Sequence, residues 1–292
     1  MTQTNWLFAV EPTRPRPSSV WRRLVRDQLT VLGLIFLLGL TLMAVSAPMI
    51  AGADPVAIDP AHKYQPPGGD FPLGTDNLGR SIWARIAYGA RITLSMAGLA
   101  MAAILAIGVT VGTVAGVYGG WVDDALMRVV DILLAFPTLI LALAIAGMLG
   151  PSLGNVLIAL AAVGWVNYAR VVRGLVLSIK EKDYVESARA LGASQAWLAM
   201  RHILPNIISP VVVLASLDMG NLLLSISAFS FLGLGAQAPT PEWGRMLDDA
   251  RPFIQTQPQL MLYPGLAVFL TVLAFNLVGD GLRDALDPRQ GG

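Results

Sequence analysis

Residues 29–50 run for 22 positions without a charged side chain, and apolar runs of similar length return along the whole chain. About 20 apolar residues in a helix cross the ~30 Å hydrocarbon core of a bilayer. In lipid a chain must satisfy its own backbone hydrogen bonds, which a helix does within each run. Further runs cover residues 92–117, a stretch through Asp131, Phe136 and Pro137 to Gly150, about 151–172, the chain beyond Pro205 to Gly235, and 260–278. The pattern predicts an all-α integral membrane protein with about six transmembrane helices. The first run is too long for the apolar core of a cleaved signal peptide, so it reads as an uncleaved span. With 55% hydrophobic and 13% charged residues, an ordinary soluble domain is excluded.

Other classes fall away on motifs. A net charge of +1 offers nothing to nucleic acid, so membrane lipid is the expected surrounding. Cysteine is absent, and His62 and His202 are too isolated to build a metal site. No GxxxxGK[ST] loop is present to cradle ATP, so energy, if used, comes from another subunit. HExxH and GxSxG are missing too, which weakens a protease or esterase reading.

The expected organisation is a basic, proline-containing extended tail at 1–28, a first span at 29–50, and a polar loop at 51–90. A five-helix core at 91–282 and a polar tail at 283–292 follow. Gly108, Gly112, Gly116 and Gly120 recur every four residues, as a close helix packing seam does. Pro137 is expected to kink the third span. Residues 237–259 read as a polar loop whose Trp243 suits the membrane interface. Six spans place both termini on one side. Fourteen of the 20 Lys and Arg then fall on that side, which predicts cytoplasmic termini.

Two regions are candidates for chemistry. In residues 181–205, Ala, Leu, Glu, Lys and Arg favour a helix to Leu191, Gly192 suits its stop, Ser194 suits the next N-cap, and Pro205 is expected to end the second helix. Ser187, Ala188 and Ala190 expose little bulk, so such a helix can enter a tight groove, with Lys182, Glu186 and Arg189 at its rim. A helix lying on lipid headgroups is the alternative. The second region is Asp131 and Asp218, since a mid-membrane carboxylate costs on the order of 2.5 to 3.5 kcal/mol on insertion scales. Asp218 shares a helix face with Asn221 and Ser225 and is the better candidate for a translocation pathway. Asp131 could instead sit at the cytoplasmic interface and pair with Arg128.

Longer motifs carry a resemblance. Glu186, Ser187, Ala188 and Gly192, followed by Leu204 and Pro205, resemble the EAA loop of ABC-importer permeases, with Ser187 replacing the first Ala and His202 standing where the pattern often has Ile. Leu73-Gly74-Thr75-Asp76, Leu78-Gly79-Arg80 and Tyr88-Gly89-Ala90-Arg91 resemble signatures of the dipeptide, oligopeptide and nickel permeases, with Ser81 where Asp is usual. Phe231-Leu232-Gly233-Leu234-Gly235, Pro241-Glu242-Trp243-Gly244 and Asn276-Leu277-Val278-Gly279-Asp280-Gly281 are similar to further stretches of the C-type permease of that family.

The resemblance, which extends over about residues 29–289, implies the transmembrane domain of a type I ABC importer. It implies a homologous but different second permease, two ATPase subunits or domains that bind ATP and Mg, and an extracytoplasmic substrate-binding protein. This chain itself would hold no cofactor and would not be an enzyme. Asp183, Tyr184, Glu186, Ser187, Ala188, Arg189 and Gly192 would couple to the ATPase. Asp76, Arg80 and Trp243 would contact the binding protein. Substrates would be short peptides or a nickel chelate, with the segment from Asp249 to Gly265 somewhat nearer the nickel type. A proton-coupled secondary transporter using Asp131 and Asp218 is the alternative, although the last three spans show no clear repeat of the first three.

Overall fold

The computed structural model describes residues 17–286, and within them side chains from Arg22 onward. The first of its helices, α1 (Pro17–Arg26), lies inside the expected extended tail; Pro17 opens it, where a missing N–H costs nothing. Asp27 turns the chain into α2 (Gln28–Ile50), its carboxylate accepting from the Thr30 amide at 3.0 Å.

The long helix α3 (Ile82–Tyr118) begins inside the segment read as loop at 51–90. Ser81 caps it, accepting from the Ala84 amide. The charges that suggested loop are satisfied by ion pairs at this end, so Arg85 does not interrupt the helix. The most extensive packing in the fold joins α3 to α6 (Leu153–Lys180). The glycine seam makes it possible: a Cβ at Gly112 would stand 2.5 Å from the Ala169 carbonyl, and one at Gly116 would stand 2.6 Å from Val176. Gly120 is outside the seam, with open space around it.

Between these two helices lie α4 (Gly120–Leu134) and α5 (Thr138–Leu149), bent by 86° at a short break. The expected kink at Pro137 is therefore a full break. Proline lacks an N–H and disfavours helix in the residue before it, so the chain leaves α4 at Ala135 and starts again after Pro137. The remaining helices are α7 (Asp183–Ala190), α8 (Gln195–Leu198), α9 (Leu204–Phe231), α10 (Trp243–Ala250) and α11 (Gln259–Leu286).

Pro205 does not end the second helix of the 181–205 segment. Residues Ala199–Ile203 form a π-helical link that carries α8 into α9, and Pro205 sits in the first turn of α9, where its missing donor is harmless. The polar loop at 237–259 also holds more order than expected, since it contains α10. Five helices are long and apolar enough to cross a membrane, or six if the bent pair counts as one. Their outer faces expose Leu38, Leu42, Val45 and Phe269, apolar surface that lipid covers.

Candidate functional site

Lys180, at the end of α6, donates to the carbonyls of Gly116 and Val117 at the end of α3. The start of α3 is therefore at one end of the bundle, and α7 with α8 is at the other.

At the α3-start end, two distant stretches of chain close on each other. The Asp76 carboxylate accepts from the Leu78 and Arg80 amides and pairs with Arg80 Nε at 2.6 Å. Asp249 receives Arg85 Nη2 at 3.2 Å and Arg245 Nη2 at 2.8 Å, and Arg245 also pairs with Asp248. Trp243 is 0% exposed, its indole N–H donating to the Ile86 carbonyl; a Cβ at Gly89 would stand 2.6 Å from its ring. Glu242 caps α10 by accepting from the Gly244 and Arg245 amides, and Thr93 of α3 donates to it at 3.3 Å. Burial pushes the Glu242 carboxyl above the ordinary range, against the pull of these hydrogen bonds.

Asp76, Arg80 and Trp243, expected to touch a binding protein, are all buried within this chain. Trp243 is likewise a core residue and not an interfacial anchor.

The middle of the bundle holds a cavity of about 240 Å³ between α3, α5, α6 and α9. Its polar lining is Thr138, Asn167, Tyr168, Asp218, Asn221 and Ser225, and the rest of its wall is apolar. The structure thus brings Asp218, Asn221 and Ser225 onto one cavity. Tyr168, buried on α6, donates its hydroxyl to Asp218 Oδ2 at 2.9 Å; Ser225 donates to the Asn221 carbonyl one turn back. Asp131 is elsewhere. It lies exposed on α4 and pairs with Arg170 of α6, not with Arg128, while Asp123 pairs with Arg173, so two ion pairs strap α4 to α6. Sequence reasoning missed Tyr168 and Asn167. A signal was present, because adjacent hydrogen-bonding side chains within an apolar run need partners or water.

At the opposite end, α7 is held by Val185, which is fully buried. Gly192, at φ +90°, turns the chain, and Ser194 caps α8 by accepting from the Trp197 amide. The His202 ring lies 5.8 Å from Tyr184 and 5.0 Å from Trp197, tying the two helices together. Asp183, Tyr184, Glu186, Ser187, Arg189 and Gly192 are exposed and Ala188 is half-buried. Leu191, Gly192, Ala193 and Trp197 surround a shallow depression of about 510 Å³, and Leu191 is 90% exposed. The sequence reading gave Leu191 only as a helix end and did not single out Trp197; an apolar residue just before a helix-stopping glycine was the available cue.

Among the described residues no cluster of His, Cys, Asp or Glu could hold a metal ion.

Residues 108–292 match the family model described as binding-protein-dependent transport system inner membrane component, and residues 18–67 match the N-terminal TM domain of oligopeptide transport permease C. The chain is 43% identical to the dipeptide transport system permease protein DppC of Alkalihalophilus pseudofirmus, over 97% of this chain and 96% of that one. It is 44% identical to the nickel transport system permease protein NikC of Escherichia coli K12, over 88% and 93% of the two chains. The glutathione transport system permease protein GsiD of Pectobacterium atrosepticum is 43% identical over 92% and 90%. Among solved structures, an inward-facing form of the MetNI methionine ABC transporter matches with a TM-score of 0.56 at 19% identity, over 69% of this chain and 96% of that one, a likeness of fold.

Proposed function

The chain belongs to the binding-protein-dependent transport system inner membrane components, as a permease subunit of an ABC importer of the peptide and nickel type, and we propose that it forms half of a pathway for short peptides or a nickel chelate of similar size. Membership implies an ATPase and a binding protein as partners, with ATP hydrolysis in the ATPase subunits. In our reading the second half of the pathway is a homologous, different permease. Both termini and the α7–α8 end face the cytoplasm; the charged α3-start end faces the binding protein.

The observation that carries the reading is the exposed surface of α7 and α8. Leu191 stands in solvent beside the small residues Ala188, Gly192 and Ala193, with Glu186 and Arg189 close by, which suits a rigid helix pair entering a groove on an ATPase. Closure of the ATPases would move this pair, and α8 passes the movement through its link into α9, which carries Asp218. Shifting a two-state equilibrium from 1:99 to 99:1 takes about 5.5 kcal/mol of differential binding, so the docking must be firm.

The relatives' printed substrates, dipeptides, glutathione and nickel, bound the cargo. A nickel cargo would travel as a chelate, since the described residues offer no donor cluster for a bare ion. The proton-coupled alternative gains nothing from the geometry, which separates Asp131 from Asp218.

The test is reconstitution of the importer in liposomes with its binding protein, following uptake of a labelled dipeptide and of nickel with histidine alongside ATP hydrolysis. Glu186→Lys and Gly192→Pro should break the link between hydrolysis and uptake. Wild-type uptake with normally stimulated hydrolysis in both variants would sink the coupling assignment.

A further inference from the structure

Asp218 is the one carboxylate that lines the mid-bundle cavity, and its partner there is neutral. The Tyr168 phenol is its hydrogen-bond partner at 2.9 Å, and no Lys, Arg or His forms an ion pair with it among the described residues. Three other carboxylates have arginine partners, and a fourth, buried Glu242, is met by two backbone amides at the start of α10. Asp76 and Asp249 share three arginines, and Asp123 is paired with Arg173. Among the described residues the Asp218 carboxylate has neither an arginine nor a backbone amide on it, only the Tyr168 hydroxyl. A carboxylate without a counter-charge among apolar walls is costly, and a bound cation offsets that cost.

The surroundings define which cation fits. Tyr168 donates to one carboxylate oxygen, leaving the other oxygen to accept. The side-chain amides of Asn167, next to Tyr168 on α6, and of Asn221, one turn from Asp218 on α9, line the same cavity, and most of the remaining lining is apolar. A carboxylate oxygen with side-chain amides beside it and apolar wall beyond suits a primary ammonium, which brings three N–H donors and a short hydrocarbon stem. A volume of about 240 Å³ approaches the lower end of small-ligand sites, roughly 300 Å³, before any second subunit adds its own wall.

We infer that Asp218, positioned by Tyr168, is a transit site for the free ammonium group of a short peptide substrate. This rests on the permease reading above and narrows it, because a nickel chelate whose amines are bound to the metal presents no such group. Asp218 touches the substrate; Tyr168 acts through Asp218 by holding its carboxylate toward the cavity.

The experiment is uptake of labelled alanyl-alanine by the complete importer in liposomes at saturating binding protein, for wild type, Asp218→Asn, Asp218→Glu and Tyr168→Phe. The inference expects Asp218→Asn to lower the maximal rate about tenfold or more, the factor that corresponds to about 1.4 kcal/mol. Half-saturation, set by the binding protein, stays where it was. Asp218→Glu retains charge and recovers most of the rate, and Tyr168→Phe gives an intermediate loss. A maximal rate in Asp218→Asn equal to wild type overturns the inference. So does equal loss in Asp218→Asn and Asp218→Glu, which marks a structural role. Import by wild type of the nickel–histidine complex and of no dipeptide is a separate failure. It removes the peptide reading, and this inference with it, before any variant is compared.

Discussion

At the end of the bundle where α3 begins, Arg85 is 1% exposed and shares Asp249 with Arg80 and Arg245, whereas at the end where α7 and α8 lie Leu191 is 90% exposed. The first end is completed within the chain. Its buried arginines are paired with Asp76 and Asp249, and its tryptophan is buried. The second is well ordered by Val185, Ser194 and the Tyr184–His202–Trp197 rings, yet it presents an apolar side chain to solvent. Order without burial is the mark of a surface prepared for a partner. If α7 and α8 dock on an ATPase as proposed, substitutions at the two ends should fail in different ways.

The largest effect is expected at the closed end. Arg85→Ala leaves Asp249 and Asp76 partly uncompensated inside the protein, and breaking a buried pair in this way costs about 3–5 kcal/mol. Thermal unfolding of the purified subunit in detergent should shift down sharply, and expression should fall. A melting curve unchanged from wild type would mean that the network contributes nothing and that the closed end is closed by packing alone.

At the open end the same kind of change should spare the fold. Leu191→Asp should leave the melting curve in place, because the side chain is already in solvent, yet reduce coupled uptake by a hot-spot loss of about 2 kcal/mol, roughly 30-fold. Equal damage to stability and uptake would erase the distinction between the ends. Gly192→Ala is milder, since a Cβ there meets open space but φ +90° strains any side chain, by roughly 1–2 kcal/mol. That strain should loosen the α7–α8 turn, and hydrogen exchange at Ala193 and Ser194 should rise while the core amides stay protected.

Glu242 gives the smallest effect and a pH signature. Its folded carboxyl titrates above the ordinary carboxylate value, so folding favours its protonated form. Stability from this group is therefore present at low pH and declines as pH rises from the unfolded value through the folded one. Glu242→Gln keeps an acceptor for the Gly244 amide and for Thr93 while removing the charge. It should flatten that decline, read as melting temperature against pH. A steeper decline in the variant would show that the ionised form is the stabilised one.

The sequence made legible those features whose cause is local. Apolar runs gave the spans, the four-residue glycine spacing gave the α3–α6 seam as far as Gly116, and Gly192 with Ser194 gave the turn between α7 and α8. Asp218, Asn221 and Ser225 could be placed together because they follow one helix period. Features set by distant partners were not legible. Arg85 and Asp249 are 164 positions apart, and without that pair Arg85 reads as a reason to end a span. Tyr168 meets Asp218 across 50 positions, and Asp131 finds Arg170 instead of the nearby Arg128 for the same reason: packing, not spacing, decides which charges meet. The break before Pro137 was visible as a kink, but its 86° angle depends on the helices around it.

The absence of cysteine makes the most direct measurement simple, because one introduced thiol is unique in this chain. Leu191→Cys and, at the other end, Ile58→Cys, 60% exposed in the wild type, would each be assembled into the importer and treated with a short thiol-to-amine cross-linker. The account predicts that residue 191 joins this subunit to the ATPase and that residue 58 does not. A cross-link to the ATPase from residue 58, or none from residue 191 in an importer that still transports, would contradict it.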